Sequence, residues 1–143
     1  MDTAPPTIRL ATWPADETHL RAVRHAVFAD EQAVPRDLDF DGADPHCHHA
    51  LAFVGVEPVA TGRIQADGHI GRVAVLKPWR NQGIGSDLAH FLMEIAGKDG
   101  HDRVYLNAQK SAVGFYRKLG FYEVGEPFME AGIEHIRMER ACT

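Results

Sequence analysis

The stretch that decides the fold lies in the middle of the chain, where residues 73–85 read Val-Ala-Val-Leu-Lys-Pro-Trp-Arg-Asn-Gln-Gly-Ile-Gly. The β-branched residues at its start are typical of a strand, and the proline and glycines after them are typical of a turn. Beyond the turn, apolar side chains recur at three- and four-residue spacing, which predicts a helix from Ile84 that ends before Gly97 or Gly100. The order is therefore strand, glycine turn, helix.

The glycine turn is suited to holding an anion. Gly83 and Gly85 lack side chains, so a ligand can approach the free N–H groups at the start of the helix closely. The helix dipole and the upstream Arg80 add positive charge, which makes a pyrophosphate a natural occupant. The same glycines could serve only a tight strand-to-helix turn. ATP and NAD are disfavoured, because the chain has no GxxxxGK(S/T) motif and Leu88 stands where GxGxxG needs its third glycine.

The pattern elsewhere predicts one α+β domain over residues 1–143, with a mixed, mostly antiparallel sheet flanked by helices. An acidic segment between Gln32 and His48, broken by Pro and Gly, is predicted to be a loop bordering a binding site. We expect strands near 7–11, 50–54, 59–65, 70–75, 104–107, 121–124 and 134–139, and further helices from a cap at Asp16 to about Ala29 and at 112–119.

Composition limits the class of protein and its location. The formal net charge is −5 and no segment is rich in Lys and Arg, which excludes a nucleic-acid binder. Two cysteines without a CxxC pair indicate a reducing compartment, so we expect a cytoplasmic protein. Neither a membrane span nor a signal peptide is predicted. The oligomeric state stays open, with a homodimer among the alternatives.

Two blocks of sequence together resemble the GNAT superfamily of N-acetyltransferases. Residues 73–85 are similar to that superfamily's acetyl-CoA signature, whose turn reads R/Q-x-x-G-x-G/A. Residues 112–121, Ala-Val-Gly-Phe-Tyr-Arg-Lys-Leu-Gly-Phe, are similar to its A-x-x-F-Y-x-K-x-G-F block. With the first helix and residues 130–135, the likeness covers most of the chain and favours the ElaA-like branch.

The resemblance implies that acetyl-CoA is a cosubstrate and that its acetyl group passes by direct attack to a primary amine of an unidentified acceptor. It assigns the pantetheine to the backbone of the strand before the turn and the pyrophosphate to the turn itself. The implied cofactor-binding residues are Val73, Val75, Arg80, Asn81, Gln82, Gly83, Ile84, Gly85, Ser86 and Asn107.

Catalysis needs a base that removes a proton from the acceptor ammonium and an acid that stabilises the leaving thiolate. The resemblance places Tyr116 beside the cofactor sulfur as the acid. The alternative is that its ring only packs a short helix onto the sheet. The base is less well defined, because the strand before the turn offers His69, Gly71 and Arg72 where related enzymes often carry a carboxylate. Candidates are His135, Glu130, Glu31 and Asp41, or water leading to one of them. We take His135, since a histidine's reference pKa is about 6.5; a plain surface histidine is the alternative.

Several other interpretations were open at this point. Asp44 and the histidines of residues 46–49 suggest a metal site, but adjacent residues cannot all face one ion, so no metal is expected. The acidic run 37–44 could attract a cationic amine or be a solvated loop. Competing functions are a non-catalytic acyl-CoA-binding regulator and a phosphate-ligand module unrelated to acetyl transfer.

Overall fold

Seven strands form one mixed sheet in the computed structural model of the protein, which describes residues 5–142. The order across the sheet is β1-β2-β3-β4-β5-β7-β6, and of the neighbouring pairs only β4 and β5 are parallel. The predicted α+β class is therefore confirmed. The strands are β1 Thr7–Ala11, β2 His48–Val54, β3 Glu57–Ile64, β4 His69–Val75, β5 Arg103–Gln109, β6 Tyr122–Glu130 and β7 Ile133–Ala141.

Four α-helices pack on or beside this sheet: α1 Glu17–Arg24, α2 Arg36–Asp39, α3 Ile84–Lys98 and α4 Val113–Lys118. The first helix continues as a π-helix, His25–Glu31, and so runs past its predicted end. Asp16 holds the N-cap position as predicted, but its carboxylate does not cap the helix: it accepts hydrogen bonds from the Thr12 N–H and from Arg9. The predicted loop contains α2, which is a correction to the sequence analysis.

Helices cover the two faces of the sheet because each carries an apolar stripe. On α3, Leu88 and Leu92 recur at helical spacing and are fully buried in the main core. On the opposite face, Val23 and Val27 of the first helix pack against Ala74 of β4. The prediction that one apolar face of each of these two helices is buried is confirmed.

The two parallel strands β4 and β5 are paired over only two residues each. His69 lies opposite Tyr105 and Ile70 lies opposite Leu106, and the pairing stops there. On its other side β4 carries a bulge, since two of its residues stand opposite one residue of β3. Arg72, in the bulge, has a left-handed φ of 53°. Bulges bend the strand that carries them, so β4 and β5 diverge and open a cleft.

A buried network of ion pairs fixes the acidic segment against the sheet. The Nη1 atoms of Arg24 and Arg63 both donate to Oδ1 of Asp44, at 2.7 and 2.9 Å, and Arg24 Nε donates to Asp39 Oδ1 at 3.0 Å. All four side chains are at least 95% buried. Charges are stable in such a place only when paired. The alternative of a solvated loop therefore holds for the exposed Asp37 and Asp41 but not for the buried Asp39 and Asp44.

Asp44 carries the charge on which this network depends. Burial opposes its ionisation, but hydrogen bonds and charges from Arg24 and Arg63 outweigh burial and hold the pKa of Asp44 below its ordinary value. Its contribution to stability is therefore present above the ordinary pKa of 3.8 and is lost as the pH falls below it.

We expect Asp44→Asn to lower the free energy of unfolding by about 3–5 kcal/mol at pH 7, because two buried guanidinium groups lose a counter-charge. The difference from the parent should shrink at pH 3, because the unfolded parent chain is protonated at Asp44 below about 3.8 while the folded protein resists protonation. Urea unfolding at both pH values measures it. The exposed Asp37 provides the control, since Asp37→Asn should change stability by less than about 0.5 kcal/mol. Equal losses in the two variants would contradict the role assigned to the network.

Candidate active site

A cleft of about 390 Å³ opens where β4 and β5 diverge. The residues predicted to be catalytic or cofactor-binding that lie in its walls are Val73, Asn107, Tyr116 and His135, and the base candidates Asp41 and Glu130 line it as well. The predicted pyrophosphate turn, residues 80–86, lies outside these walls, after the end of β4. The structure thus brings the two predicted catalytic side chains to one cavity.

The cleft passes through the sheet, so its polar groups come from two faces. Side chains alternate along β5, with Leu106 and Ala108 in the main core and Asn107 on the opposite face. His135 stands opposite Gln109 of β5 and therefore shares the face of Asn107. Tyr116 belongs to the main core on the α3 side. A group held between the strands could be reached by the phenol from one face and by the imidazole from the other.

Tyr116 sits in an aromatic environment that keeps its hydroxyl protonated. Its ring packs edge to face against Phe115 and Phe121, with centroid distances of 4.9 and 5.7 Å. Burial raises the pKa of Tyr116 to about 12. Within residues 5–142 no hydrogen bond occupies the hydroxyl, so it is available to donate to a ligand in the cleft.

His135 is buried, which corrects the alternative of a surface histidine; only 6% of the residue is exposed. Its Nδ1 lies 2.7 Å from the carbonyl oxygen of Ile133. A carbonyl can only accept, so Nδ1 carries a proton, and in the tautomer with the other nitrogen unprotonated the lone pair is on Nε2. That Nε2 faces Glu130, 3.7 Å from Oε2. The ring is stacked on Phe128, which fixes its plane.

His69 is a second imidazole in the same cleft, and the sequence analysis did not assign it a role. It is stacked on Tyr105 at a centroid distance of 4.6 Å, and the Tyr105 hydroxyl donates to Asp67. Burial lowers the pKa of His69, and the charges of Asp67 and Glu130 offset part of that effect. The ring is therefore neutral at pH 7.

Two of the carboxylates proposed as bases are neutralised by arginine. Asp41 accepts from Arg63 at 2.8 Å and from Arg72 at 3.2 Å, and the hydrogen bond from Arg63 holds the pKa of Asp41 well below its usual range. Glu31 accepts from Nη2 of Arg80 at 2.7 Å. Only His135 and Glu130 remain among the four candidates as cleft groups without an arginine partner.

Positions 83 and 85 of the turn are occupied by glycine for different physical reasons. Gly83 has a φ of +83° and open space where a Cβ would lie, so backbone conformation requires glycine there. A Cβ on Gly85 would come within 3.3 Å of the Phe115 ring, so there the packing is tight and a larger residue would have to displace that ring slightly. The first N–H to bond back is that of Asp87, which donates to the Gly83 carbonyl at 3.0 Å.

The N–H groups of residues 81–86 donate to no protein acceptor in the described part of the chain. The anion site that the sequence predicts would use these N–H groups, and their role in binding stays a prediction. Asn81, with a left-handed φ of 63°, shapes the turn together with Gly83. The other predicted turn residues, Gln82, Ile84 and Ser86, lead into or open α3.

Arg80 spans the junction between β4 and the turn. Its Nε donates to the Val75 carbonyl at 2.9 Å while Nη2 pairs with Glu31. The Val75 carbonyl is therefore engaged by the protein itself, whereas Val73 lines the cleft. The positive charge of Arg80, which the sequence analysis assigned to the pyrophosphate site, is therefore shared with the carboxylate of Glu31.

Some features of the cleft escaped the sequence analysis. Gln32 and Gln109, 77 positions apart, join their amides across it, with Gln109 Nε2 donating to Gln32 Oε1 at 2.8 Å. Nothing in the local pattern around either glutamine indicates this contact. Arg24, by contrast, lies four residues after Leu20 and three before Val27, so helical spacing places it on the buried face.

The histidine cluster at residues 46–49 does not converge on one point. His49 is buried with Nε2 2.9 Å from the Asp44 carbonyl, whereas His48 is exposed near Asp99. Across residues 5–142 no three His, Cys, Asp or Glu side chains are grouped as metal ligands. No helix in that range is long and apolar enough to cross a bilayer.

The sheet is split between β4 and β5, the amides of the glycine turn are free, and Tyr116 is enclosed in the cleft between these strands. These are the features expected of the family that the sequence motifs suggest. A family model for the acetyltransferase (GNAT) domain matches residues 15–142, and the chain belongs to that family. The family suggested by the sequence motifs is thereby confirmed.

Individual relatives agree with this placement. The chain is 36% identical to YyaT of Bacillus subtilis over 93% of this chain and 94% of YyaT. It is 36% identical to ElaA of Escherichia coli over 85% of this chain and 84% of ElaA. The crystal structure of ElaA matches with a TM-score of 0.84 and 32% identity, covering 95% of this chain and 99% of that one. An acyl-CoA N-acyltransferase from Pseudomonas aeruginosa matches with a TM-score of 0.84 and 29% identity, covering 96% and 100%.

We expect an NMR pH titration to place the midpoint of His69 below the reference value of about 6.5, because burial disfavours the charged ring. Glu130→Gln should lower that midpoint further, since it removes a negative charge that favours the imidazolium. Glu126→Gln, an exposed change on the same strand, serves as the control and should leave it unchanged. A midpoint above 6.5 would contradict the effect assigned to burial, and equal shifts in both variants would contradict the proximity of Glu130 and His69.

Proposed function

We propose that the protein is an N-acetyltransferase that moves the acetyl group of acetyl-CoA directly to a primary amine of its acceptor. The observation that carries the proposal is the position of Tyr116, a protonated phenol enclosed in the cleft between two diverging strands. A simple anion-binding module has no need of such a group beside a cavity that crosses the sheet.

Three parts of the structure support binding of the cofactor. The free N–H groups of residues 81–86 suit the pyrophosphate. Beyond Ile70, β4 has no strand partner on the cleft side, so backbone near Val73 is free to bond the amides of the pantetheine. Asn107 lines the opposite wall. The relative from P. aeruginosa, named an acyl-CoA N-acyltransferase, also points to a coenzyme A thioester.

Within this arrangement the acceptor amine attacks the thioester carbon from the face of the sheet that carries His135. Nε2 of His135 takes the ammonium proton, directly or through a water molecule, and a β4 backbone N–H stabilises the oxyanion. The new C–N bond forms and the C–S bond breaks. The departing sulfur receives a hydrogen bond from Tyr116 on the other face.

The high pKa of Tyr116 shapes its part in this step. A phenol with a pKa of about 12 is a weaker acid than an ordinary thiol, whose reference pKa is about 8.5. Its main effect is therefore a strong hydrogen bond to the developing thiolate in a poorly solvated place. Tyr116 keeps its proton, and the thiolate takes up, through water, the second proton that the attacking nitrogen loses as the amide forms. Preorganised donors of this kind are effective where charge develops.

We expect Gly83→Val to weaken binding of acetyl-CoA by more than tenfold, because a β-branched residue is strained at positive φ and distorts the amides of the turn. Gly100→Val is a matched control: Gly100 also has a positive φ and open space, and it lies after the other end of α3. Calorimetry measures both affinities. If the two variants bound acetyl-CoA as tightly as the parent, the pyrophosphate site would be misplaced.

We expect Tyr116→Phe to lower turnover by roughly 100-fold while leaving the affinity for acetyl-CoA within a factor of about two, since only the hydroxyl is lost. An acceptor screen that follows release of the free CoA thiol supplies the assay. A role in packing alone forecasts unchanged turnover, because phenylalanine fills the same space. Thermal unfolding of the variant serves as the control for that packing.

A further inference from the structure

The charges that line the cleft cancel except for one. Asp39 and Asp41 are matched by Arg63 and Arg72, and Asp44 behind them is matched by Arg24. Glu130 is different: within residues 5–142 its carboxylate pairs with no lysine or arginine, and its neighbour is the Nε2 of His135. The cleft therefore keeps one negative charge that the protein does not neutralise.

This charge is held at a fixed place on the rim. Glu130 is the last residue of β6 and stands opposite Ile133, the first residue of β7. The two residues between them, Ala131 and Gly132, both have positive φ, the geometry of a tight two-residue hairpin turn. Such a turn leaves the strand ends little freedom to move.

Glu130 lies at the solvent-exposed edge of the cleft, nearer the surface than the proposed catalytic groups. Its side chain is 55% exposed, whereas that of His135, two strand positions into β7 from Ile133, is 7% exposed. A nitrogen that reacts beside His135 and Tyr116 is therefore deeper in the cleft than a cation that pairs with Glu130. Because the Glu130 carboxylate is exposed, a second cation can pair with it from the solvent side and leave Nε2 of His135, 3.7 Å from Oε2, to the reacting nitrogen.

We propose that the acceptor is a small aliphatic amine that carries a second cationic group, and that Glu130 binds this second group while the first amine reacts. The inference rests on the proposed function, because it assumes that the amine nitrogen attacks a thioester in the cleft. Glu130 acts here as a specificity-determining residue: it selects dicationic acceptors over monoamines of the same length.

The test compares matched acceptors. The values of kcat/KM are measured by thiol release for 1,3-diaminopropane, 1,4-diaminobutane and 1,5-diaminopentane, and for propylamine, butylamine and pentylamine. We expect the diamine of the best length to exceed its monoamine through a lower KM. Glu130→Gln should reduce this preference about fivefold, the effect of losing a half-exposed ion pair. Glu126→Gln, an exposed change elsewhere on β6, should retain it.

Calorimetry of 1,4-diaminobutane with protein saturated by CoA provides a readout apart from turnover. The affinity of the protein for 1,4-diaminobutane should fall in Glu130→Gln and be unchanged in Glu126→Gln. Amine acetylation without a diamine preference, or a preference equal in parent and Glu130→Gln, would overturn the inference and leave the proposed function standing. Failure to bind acetyl-CoA at all would overturn the proposed function, and the inference with it.

Discussion

The separation of β4 from β5 is the constraint on which the rest of the site depends. The bulge at Arg72 turns β4 away after a parallel pairing of two residues, and without that divergence Tyr116 would lie beneath a closed sheet. The opening also leaves backbone groups of β4 without a strand partner, which is costly in a protein interior unless water or a ligand satisfies them. A ligand with amide groups of its own, such as pantetheine, fits an edge of this kind.

The bulge is held from outside the sheet. The guanidinium of Arg72 donates to the carbonyls of Leu38 and Asp39, at 2.9 and 3.0 Å, and so ties the bulge to α2. The helix α2 is in turn anchored by the buried pair of Arg24 with Asp39, and the chain after it by the buried pair of Arg63 with Asp44. Buried ion pairs often add little net stability compared with apolar packing, but they tolerate few alternative arrangements. Their effect here is to fix one wall of the cleft at a set distance from the split strands.

The elements that could be predicted from the sequence are those set by local patterns. The glycine turn and α3 follow from residues adjacent in the chain, and the structure confirms both. The bulge at Arg72 and the pairing of Asp44 with two arginines depend on partners 19 or more positions away, for which a single sequence carries no signal. The roles of Tyr116 and His135 came from motif position. The structure puts both side chains in one cleft, and their part in catalysis stays a prediction.

The central claim is that the split between β4 and β5 holds a coenzyme A thioester with its sulfur at Tyr116. A crystal structure of the protein with CoA tests this most directly. We expect the sulfur within about 4 Å of the Tyr116 hydroxyl, with pyrophosphate oxygens about 3 Å from N–H groups of residues 81–86. A CoA molecule bound elsewhere, or one whose sulfur lies on the far side of the sheet from Tyr116, would contradict it.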